Sequence, residues 1–475
     1  MVLRSPDDSS GFPGGMRVSS TVDPRATISA APMSALQVIA VAITIGLNAL
    51  DGFDVLSIAF ASPGIAAEWH IDRGALGIVL SMELIGMAIG SVLLGLVADK
   101  IGRRPTILGC LVVMTVGMFM ATTSKGTVDL SLWRVLTGFG IGGVLSSINA
   151  VASEFSNAKR KNLSVSIMAI GYPIGGVLGG KVVQQLLTTG DWRVVFYFGA
   201  AVTAVFIPLV WLFVPESVHW LTQKQPNRAL EKINRVMQRW GHAASAALPA
   251  ISVAARKRSI ADIFGPGLIA TTLVLAIAYF FHVMTFYFVL KWIPKIVVDL
   301  GFAASSAAGV LVWANLGGAT GGAVLGLLGM RFGMKPLTIG VMIIGTVMVM
   351  VLGHTPADLQ RLSLICACAG FFTNAAIVGM YALFAQAYPT HVRAFGTGFA
   401  IGTGRGGSVL APIAAGFLFK AGYSLPAVAT TMSFGTLIAA GVLSLLKLKP
   451  DHTDVDWAKA PTAAEPELRG ATTAS

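Results

Sequence analysis

Two aspartates stand three residues apart in Asp51-Gly52-Phe53-Asp54, with Asn48 a turn earlier, inside an apolar run of this 475-residue chain. At i and i+3 the acids share one side of a helix. Each acid at the centre of a membrane helix costs roughly 2.5–3.5 kcal/mol on insertion scales, so two together suggest function. Glu83 stands in the next apolar run, Arg134 in the fourth and Arg405 in the eleventh. Such acids can take up and release protons, and a planar guanidinium fork suits a carboxylate. Tyr279, His282 and Phe286 fall at i, i+3 and i+7 on one helix face, and Asn374, Tyr381, Phe384 and Tyr388 follow in a later run. Aromatic rings so placed can cover a planar guest or simply pack, and His282 is the histidine that would titrate in a transport cycle. The candidate proton carriers are therefore Asp51, Asp54 and Glu83. The candidate substrate contacts are Arg405, Arg134, His282, Tyr279, Phe286, Asn374 and Tyr381. A purely structural role is the alternative for each.

The elements that must hold these residues follow from composition. The hydrophobic fraction is 55% and the charged fraction 12%, against roughly 25% charged in an ordinary soluble domain. Mean hydropathy is +0.75. Too little charge is present to cover a soluble globule, which leaves a polytopic helical membrane protein. Twelve apolar runs are long enough to span: 35–61, 74–98, 105–123, 130–153, 163–188, 194–214, 266–292, 307–330, 336–353, 361–387, 394–420 and 425–447. The longest polar insert, 215–262, separates six from six. The expected division is a disordered cytoplasmic tail 1–34, a six-helix bundle 35–214, a cytoplasmic linker 215–265, a second bundle 266–447 and a cytoplasmic tail 448–475.

With both ends placed inside, the inner segments hold 24 of the 34 Lys and Arg residues and the outer segments eight. That excess predicts cytoplasmic termini in a cell inner membrane. It also accounts for the net charge of +12 without a nucleic-acid partner. The three cysteines lie in apolar stretches and imply no disulfide framework. No phosphate-binding loop, metal motif or nucleophile elbow is present, so neither an enzyme nor a cofactor or metal is expected. A shift of 231 residues carries Gly95, Gly102 and Pro105 onto Gly326, Gly333 and Pro336, and Gly171, Gly175 and Gly176 onto Gly402, Gly406 and Gly407. Parallel six-helix repeats imply a pseudo-twofold axis along the membrane normal and a site at the midplane between halves. The expected fold class is all-α, with twelve transmembrane helices in two pseudo-symmetric bundles.

At 1.5 Å per residue, Asp54 lies about 10 Å, Asp51 about 15 Å and Glu83 about 14 Å from the outer ends of their helices, with Arg134 about one turn from its own. An Asp54–Arg134 pair is therefore expected, with Asp51 freer to titrate. Lys291, near the outer end of the seventh run, reads as a snorkelling side chain.

Between the second and third runs stands Gly95-Leu-Val-Ala-Asp99-Lys100-Ile-Gly102-Arg103-Arg104-Pro105. Its glycines permit a tight turn, and Asp99 can pair with a helix end of the neighbouring bundle. This string resembles the signature loop of the major facilitator superfamily. Its second copy, Gly326 to Lys335, has Met330 in place of the acid, so the charged latch is expected on the N-terminal half. Arg134-Val-Leu-Thr-Gly138-Phe-Gly140 and Pro215-Glu216-Ser217-Val218-His219-Trp220-Leu221 are further echoes. Asp51-Gly52-Phe53-Asp54, together with Trp292-Ile-Pro294, Tyr388-Pro389-Thr390, Arg393 and Gly402-Thr-Gly404-Arg405-Gly406, resembles the aromatic acid:proton symporter family over about residues 35–450. The resemblance implies uptake of a hydroxybenzoate-like or lignin-derived carboxylate with protons, by a protein functional as a monomer. It implies roles for Asp51, Asp54, Arg134, Glu154 and Arg405. Gly95, Asp99, Gly102, Arg103 and Glu154 are the expected gating residues, Glu154 through a salt bridge. Rival readings are an exporter or other organic-solute porter of the same fold, and a transporter-like receptor.

Overall fold

A computed structural model describes residues 23–249, 263–265, 267–388 and 392–447. Hydrocarbon offers no hydrogen-bond partner, so a spanning segment must satisfy its backbone internally, and the apolar runs form helices. In chain order the helices are α1 (Pro24–Ala30), α2 (Ala35–Trp69), α3 (Arg73–Ile101), α4 (Arg103–Ala121), α5 (Thr127–Glu154), α6 (Lys161–Leu186), α7 (Arg193–Phe213), α8 (Val218–Lys224), α9 (Ala229–Arg239), α10 (Ile269–Asp299), α11 (Ala304–Leu328), α12 (Met334–His354), α13 (Leu359–Ala387), α14 (Arg393–Lys420) and α15 (Leu425–Ser444). Twelve of these are long. Eleven are apolar enough along their length to cross a membrane. The exception, α14, is diluted by its glycines and Arg405. Polar caps set several starts: Ser34 and Gln37 form a reciprocal capping box on α2, and Asp72 accepts the Ala75 N–H at 2.9 Å.

The long helices form two six-helix bundles of one design. In the first, α3 packs on α5, α2 on α6 and α4 on α7; in the second, α11 packs on α13, α10 on α14 and α12 on α15. Glycines set the closeness of these pairs. A Cβ on Gly175 would lie 1.7 Å from the Ala49 carbonyl oxygen, and one on Gly52 2.0 Å from that of Tyr172, so α2 and α6 touch backbone to backbone.

The bundles meet through α3 with α14, α6 with α11, and α2 with α10. Ser81 Oγ donates to the Val409 carbonyl at 2.7 Å, and Gly77 packs on Pro412 and Gly416. Gly180 faces Val312. Arg73 pairs with Asp299 at 3.0 Å and Lys420 with Asp72 at 3.2 Å. Among the described residues, every hydrogen bond, ion pair and close glycine contact between long helices of opposite bundles lies in the helix halves remote from the chain termini. The seam is thus closed on that far side and parts toward the side of the termini.

Two expectations about the ends need correction. Residues 23–34 are not a disordered tail. They carry α1, capped by Asp23, with Ile28 buried and the Ser29 carbonyl accepting from Ala158 N at 3.0 Å. The apolar staple under a helix this short supplies what its few backbone bonds cannot. The seventh run also does not stop at Trp292. α10 continues through Pro294 to Asp299, because in a packed membrane helix the bond lost at proline is tolerated. Residues 1–22, 250–262, 266, 389–391 and 448–475 lie outside the described residues.

Gly175→Ala is expected to destabilise the protein by about 1–3 kcal/mol through overpacking, whereas Gly109→Ala, with nothing within 4 Å of the added carbon, should leave it unchanged. Thermal unfolding of the two variants in detergent compares them directly.

Candidate functional site

Gly138 on α5 allows backbone contact with α3: a Cβ there would lie 2.0 Å from the Glu83 carbonyl oxygen. One turn earlier on α5, Arg134 is thereby laid onto Glu83, with Nη2 and Oε2 2.6 Å apart and both side chains fully buried. The guanidinium also donates from Nη2 to the Asp54 carbonyl oxygen at 3.1 Å and from Nη1 to Met118 Sδ at 3.2 Å, and it lies over the Phe196 ring, 5.2 Å from its centroid. The expected Asp54–Arg134 carboxylate pair is therefore not formed. Arg134 meets Asp54 only through the backbone, because α3 brings Glu83 nearer than the α2 side chain can reach. Both Asp54 carboxyl oxygens and Asp51 Oδ1 are buried without a hydrogen-bond partner.

Lys291, expected to snorkel, completes this cluster. It is wholly buried, its ammonium 3.5 Å from Glu83 Oε2 and donating to the Val55 carbonyl oxygen. The snorkelling expectation fails because α10 runs eight residues past it. The signal in the sequence was a lysine followed by Trp-Ile-Pro rather than by polar residues.

Arg405 occupies the middle of α14. Gly404 rests on the Tyr279 ring and Gly407 on the Phe280 carbonyl, so α14 lies tightly against α10. The Arg405 charge is within electrostatic reach of Asp51, Tyr279, Tyr287 and Tyr381. It forms no ion pair among the described residues, and the residue is half-exposed. The Tyr279 and Tyr381 hydroxyls lie 3.1 Å apart, and Phe384 packs edge-on to Tyr279 at 5.4 Å. Tyr287, absent from the expected set, stands two turns beyond Tyr279. It lies within reach of the Arg405 charge, and its neighbour Phe286 meets it edge-on at 5.5 Å.

Two further candidates serve as ties between helices. His282 Nδ1 lies 3.1 Å from Thr436 Oγ1 and Nε2 2.9 Å from the Thr373 carbonyl oxygen, so both ring nitrogens are engaged by α15 and α13. No polar atom of His282 is left for a guest. Asn374 donates to the Gly318 carbonyl oxygen at 2.7 Å, joining α13 to α11.

On the terminal side, Gly102 turns the chain at φ +112°, which glycine adopts freely. Asp99 does not reach the neighbouring bundle. It is exposed and pairs with Arg103 at 2.7 Å within its own loop. The acid that holds this loop is Glu216, whose Oε1 accepts the Arg103 N–H at 2.8 Å and the Ser217 N–H at 2.9 Å, capping α4. Burial pushes the Glu216 carboxyl above its ordinary value, and these amides pull it back. Glu154 accepts from Ser217 Oγ and makes no ion pair among the described residues, so the expected salt bridge is absent. Gly95 meets nothing nearer than Ser146 at 3.7 Å.

The sequence profile of the Major Facilitator Superfamily matches residues 43–368 and 275–471. The chain belongs to the major facilitator superfamily. It is a multi-pass membrane transporter, not an enzyme. Among curated relatives of this superfamily member, the gallate transporter of Pseudomonas putida is 25% identical over 89% of this chain and 94% of its own length. The 4-hydroxybenzoate transporter PcaK of Acinetobacter baylyi is 27% identical over 92% and 96%. The 3-(3-hydroxy-phenyl)propionate transporter of Escherichia coli is 28% identical over 85% and 93%. Among solved structures, the xylose transporter XylE from E. coli superposes with a TM-score of 0.68 over 87% of this chain and 97% of that one, at 18% identity.

Removing one partner of a buried ion pair costs about 3–5 kcal/mol, whereas replacing both by apolar residues costs far less. Glu83→Leu strands both Arg134 and Lys291 and should therefore lower the thermal midpoint markedly, and adding Arg134→Met and Lys291→Met should restore much of it. Thermal unfolding of the single and triple variants reads the difference.

Proposed function

We propose that this transporter is a proton-coupled symporter that imports small aromatic carboxylates, hydroxybenzoate-like or lignin-derived, across the inner membrane by alternating access. The reading rests above all on Arg405. A guanidinium at the middle of the bundles, within reach of three tyrosines and in no ion pair among the described residues, is a cation whose partner arrives from outside the chain. Its fork matches a carboxylate in a bidentate pair, and Tyr279, Tyr287 and Tyr381 offer edges and faces to a benzenoid ring. The curated relatives named above, which carry gallate, 4-hydroxybenzoate and hydroxyphenylpropionate by name, favour the same substrate class.

Proton coupling is supported by Asp51 and Asp54, buried carboxyls of which Asp51 Oδ1 and both Asp54 oxygens have no hydrogen-bond partner among the described residues. An ionised carboxylate so placed is costly, and binding a proton removes that cost. With termini in the cytoplasm, as the basic residues favour, the closed far side is the outer side and the structure is open inward. In the outward-facing state Asp51 or Asp54 takes a proton and the substrate anion docks on Arg405. The halves rock, and proton and anion leave to the cytoplasm. Each elementary charge moved through 100 mV is worth about 2.3 kcal/mol, so more than one proton per anion lets the membrane potential assist uptake.

In vesicles with an imposed pH gradient, the wild type should accumulate 4-hydroxybenzoate or a close relative. Asp51→Asn should remove accumulation against a gradient while the protein stays folded; accumulation equal to wild type would eliminate Asp51 from coupling. Arg405→Lys keeps the charge but loses the fork, and should weaken carboxylate binding about tenfold or more by calorimetry. An unchanged affinity would make Arg405 structural.

A further inference from the structure

Among the described residues, Lys291 is the charged side chain of a membrane-spanning helix that reaches across the seam to polar groups of the other bundle at this depth. Its helix α10 belongs to the second bundle. Its two partners, the Val55 carbonyl on α2 and the Glu83 carboxylate on α3, belong to the first. All three residues lie in the far halves of their helices, the halves that are in contact here. Opening the far side must draw the ammonium out of this socket, whereas Arg134, carried on α5 of the same bundle as Glu83, stays with it.

The surrounding charges are few. α2 contributes Asp51 and Asp54, α3 Glu83 and α5 Arg134. α14 contributes Arg405 and, at its far end, Lys420, which is engaged by Asp72. α13 contributes Tyr381 and, at its far end, the exposed Arg361. α6 contributes Tyr172 and, at its far end, Lys181, which donates to Gln184. α11 and α15 carry no charged residue. Among the described residues, Lys291 is thus the second-bundle cation that stands within ion-pair distance of an acid buried in α2 or α3, and that distance changes when the far side opens or closes.

We propose that Lys291 is the coupling residue of the transport cycle: its ammonium and a transported proton compete for the acid cluster of α2 and α3. This rests on the symport reading. When the far side is open, the ammonium is withdrawn and a proton from outside takes its place on a carboxyl. When the far side closes, Lys291 re-enters, its charge replaces the proton's, and the proton departs toward the side that is now open. The exchange is charge for charge, with no bond made beyond O–H and N–H contacts. It makes far-side closure and proton release one event, in the order that inward symport needs.

The test uses two variants that spare the fold. Lys291→Met leaves Glu83 paired with Arg134, and an apolar chain of similar length fills the space, so folding should be retained. Lys291→Arg keeps the charge. With the three native cysteines replaced by alanine, Val312→Cys reports the far seam, since Val312 is buried there against Gly180. Lys291→Met should raise labelling of Cys at this position by an impermeant maleimide, applied from outside, at least fivefold. It should also lower the ratio of pH-driven accumulation to counterflow of 4-hydroxybenzoate at least tenfold. Lys291→Arg should restore both. If Lys291→Met folds poorly, Glu83→Gln, which deprives Lys291 of its carboxylate, should raise labelling in the same way. Labelling and ratio both equal to the parent's, or increased labelling with an unchanged ratio, would overturn the proposal. Absence of pH-driven accumulation in the parent itself would instead refute the symport reading, and the labelling would still report on the tie.

Discussion

A charge in hydrocarbon must find its counter-charge within the chain, and this constraint organises the centre of the molecule. Glu83 is sealed from water and sits between Arg134 of its own bundle and Lys291 of the other. Its carboxylate can be there only because Gly138 lets α5 close on α3. In turn α3 is the helix that also carries the seam contacts Gly77 and Ser81 to α14. One helix therefore joins the buried ion cluster to the surface along which the bundles separate. A change in protonation at the cluster and a change in the seam share a rigid element, which is the physical requirement for coupling between them.

The repeat gives a symmetric scaffold to an asymmetric chemistry. Shifted by 231 residues, Glu83 falls on Ala314, and Gly370 approaches the Ala314 carbonyl at 2.0 Å just as Gly138 approaches that of Glu83. The packing is kept and the charge is not. The first bundle holds the acids Asp51, Asp54 and Glu83. The second holds Arg405, Lys291 and most of the tyrosines. The buried acids and the two cations are thus placed on opposite sides of the seam.

The linker travels with the first bundle. Trp240, just past α9, packs on Phe155 at 5.0 Å between centroids, His242 meets Gln37 at 3.1 Å, and Glu216 caps α4. Trp220 donates to the Asp99 carbonyl at 3.0 Å. The signature loop is therefore fastened by the segment that follows α7. The Asp99 carboxylate is left in water, and among the described residues it makes no latch to the second bundle.

What the sequence determined by itself is what composition and period dictate. Apolar runs long enough to span, basic residues gathered in alternate loops, glycines recurring after 231 positions and acids at i and i+3 make the helices, the repeat and the presence of costly charges legible. A lone chain must satisfy its backbone in lipid however its helices later pack. Partners were not legible in this way. Depth along isolated helices suggested Asp54 for Arg134, but depth says nothing of rotation or of which helix is nearer, and α3 rather than α2 presents the carboxylate. Lys291 looked peripheral because Pro294 seemed to end its helix, and only tertiary packing keeps α10 going and seals the lysine inside. His282 looked like a titrating face residue until Thr436 and Thr373 filled both its nitrogens. In each case the deciding term was the contact between helices, fixed by where glycine permits backbones to meet, and that geometry exists only once the two bundles are assembled.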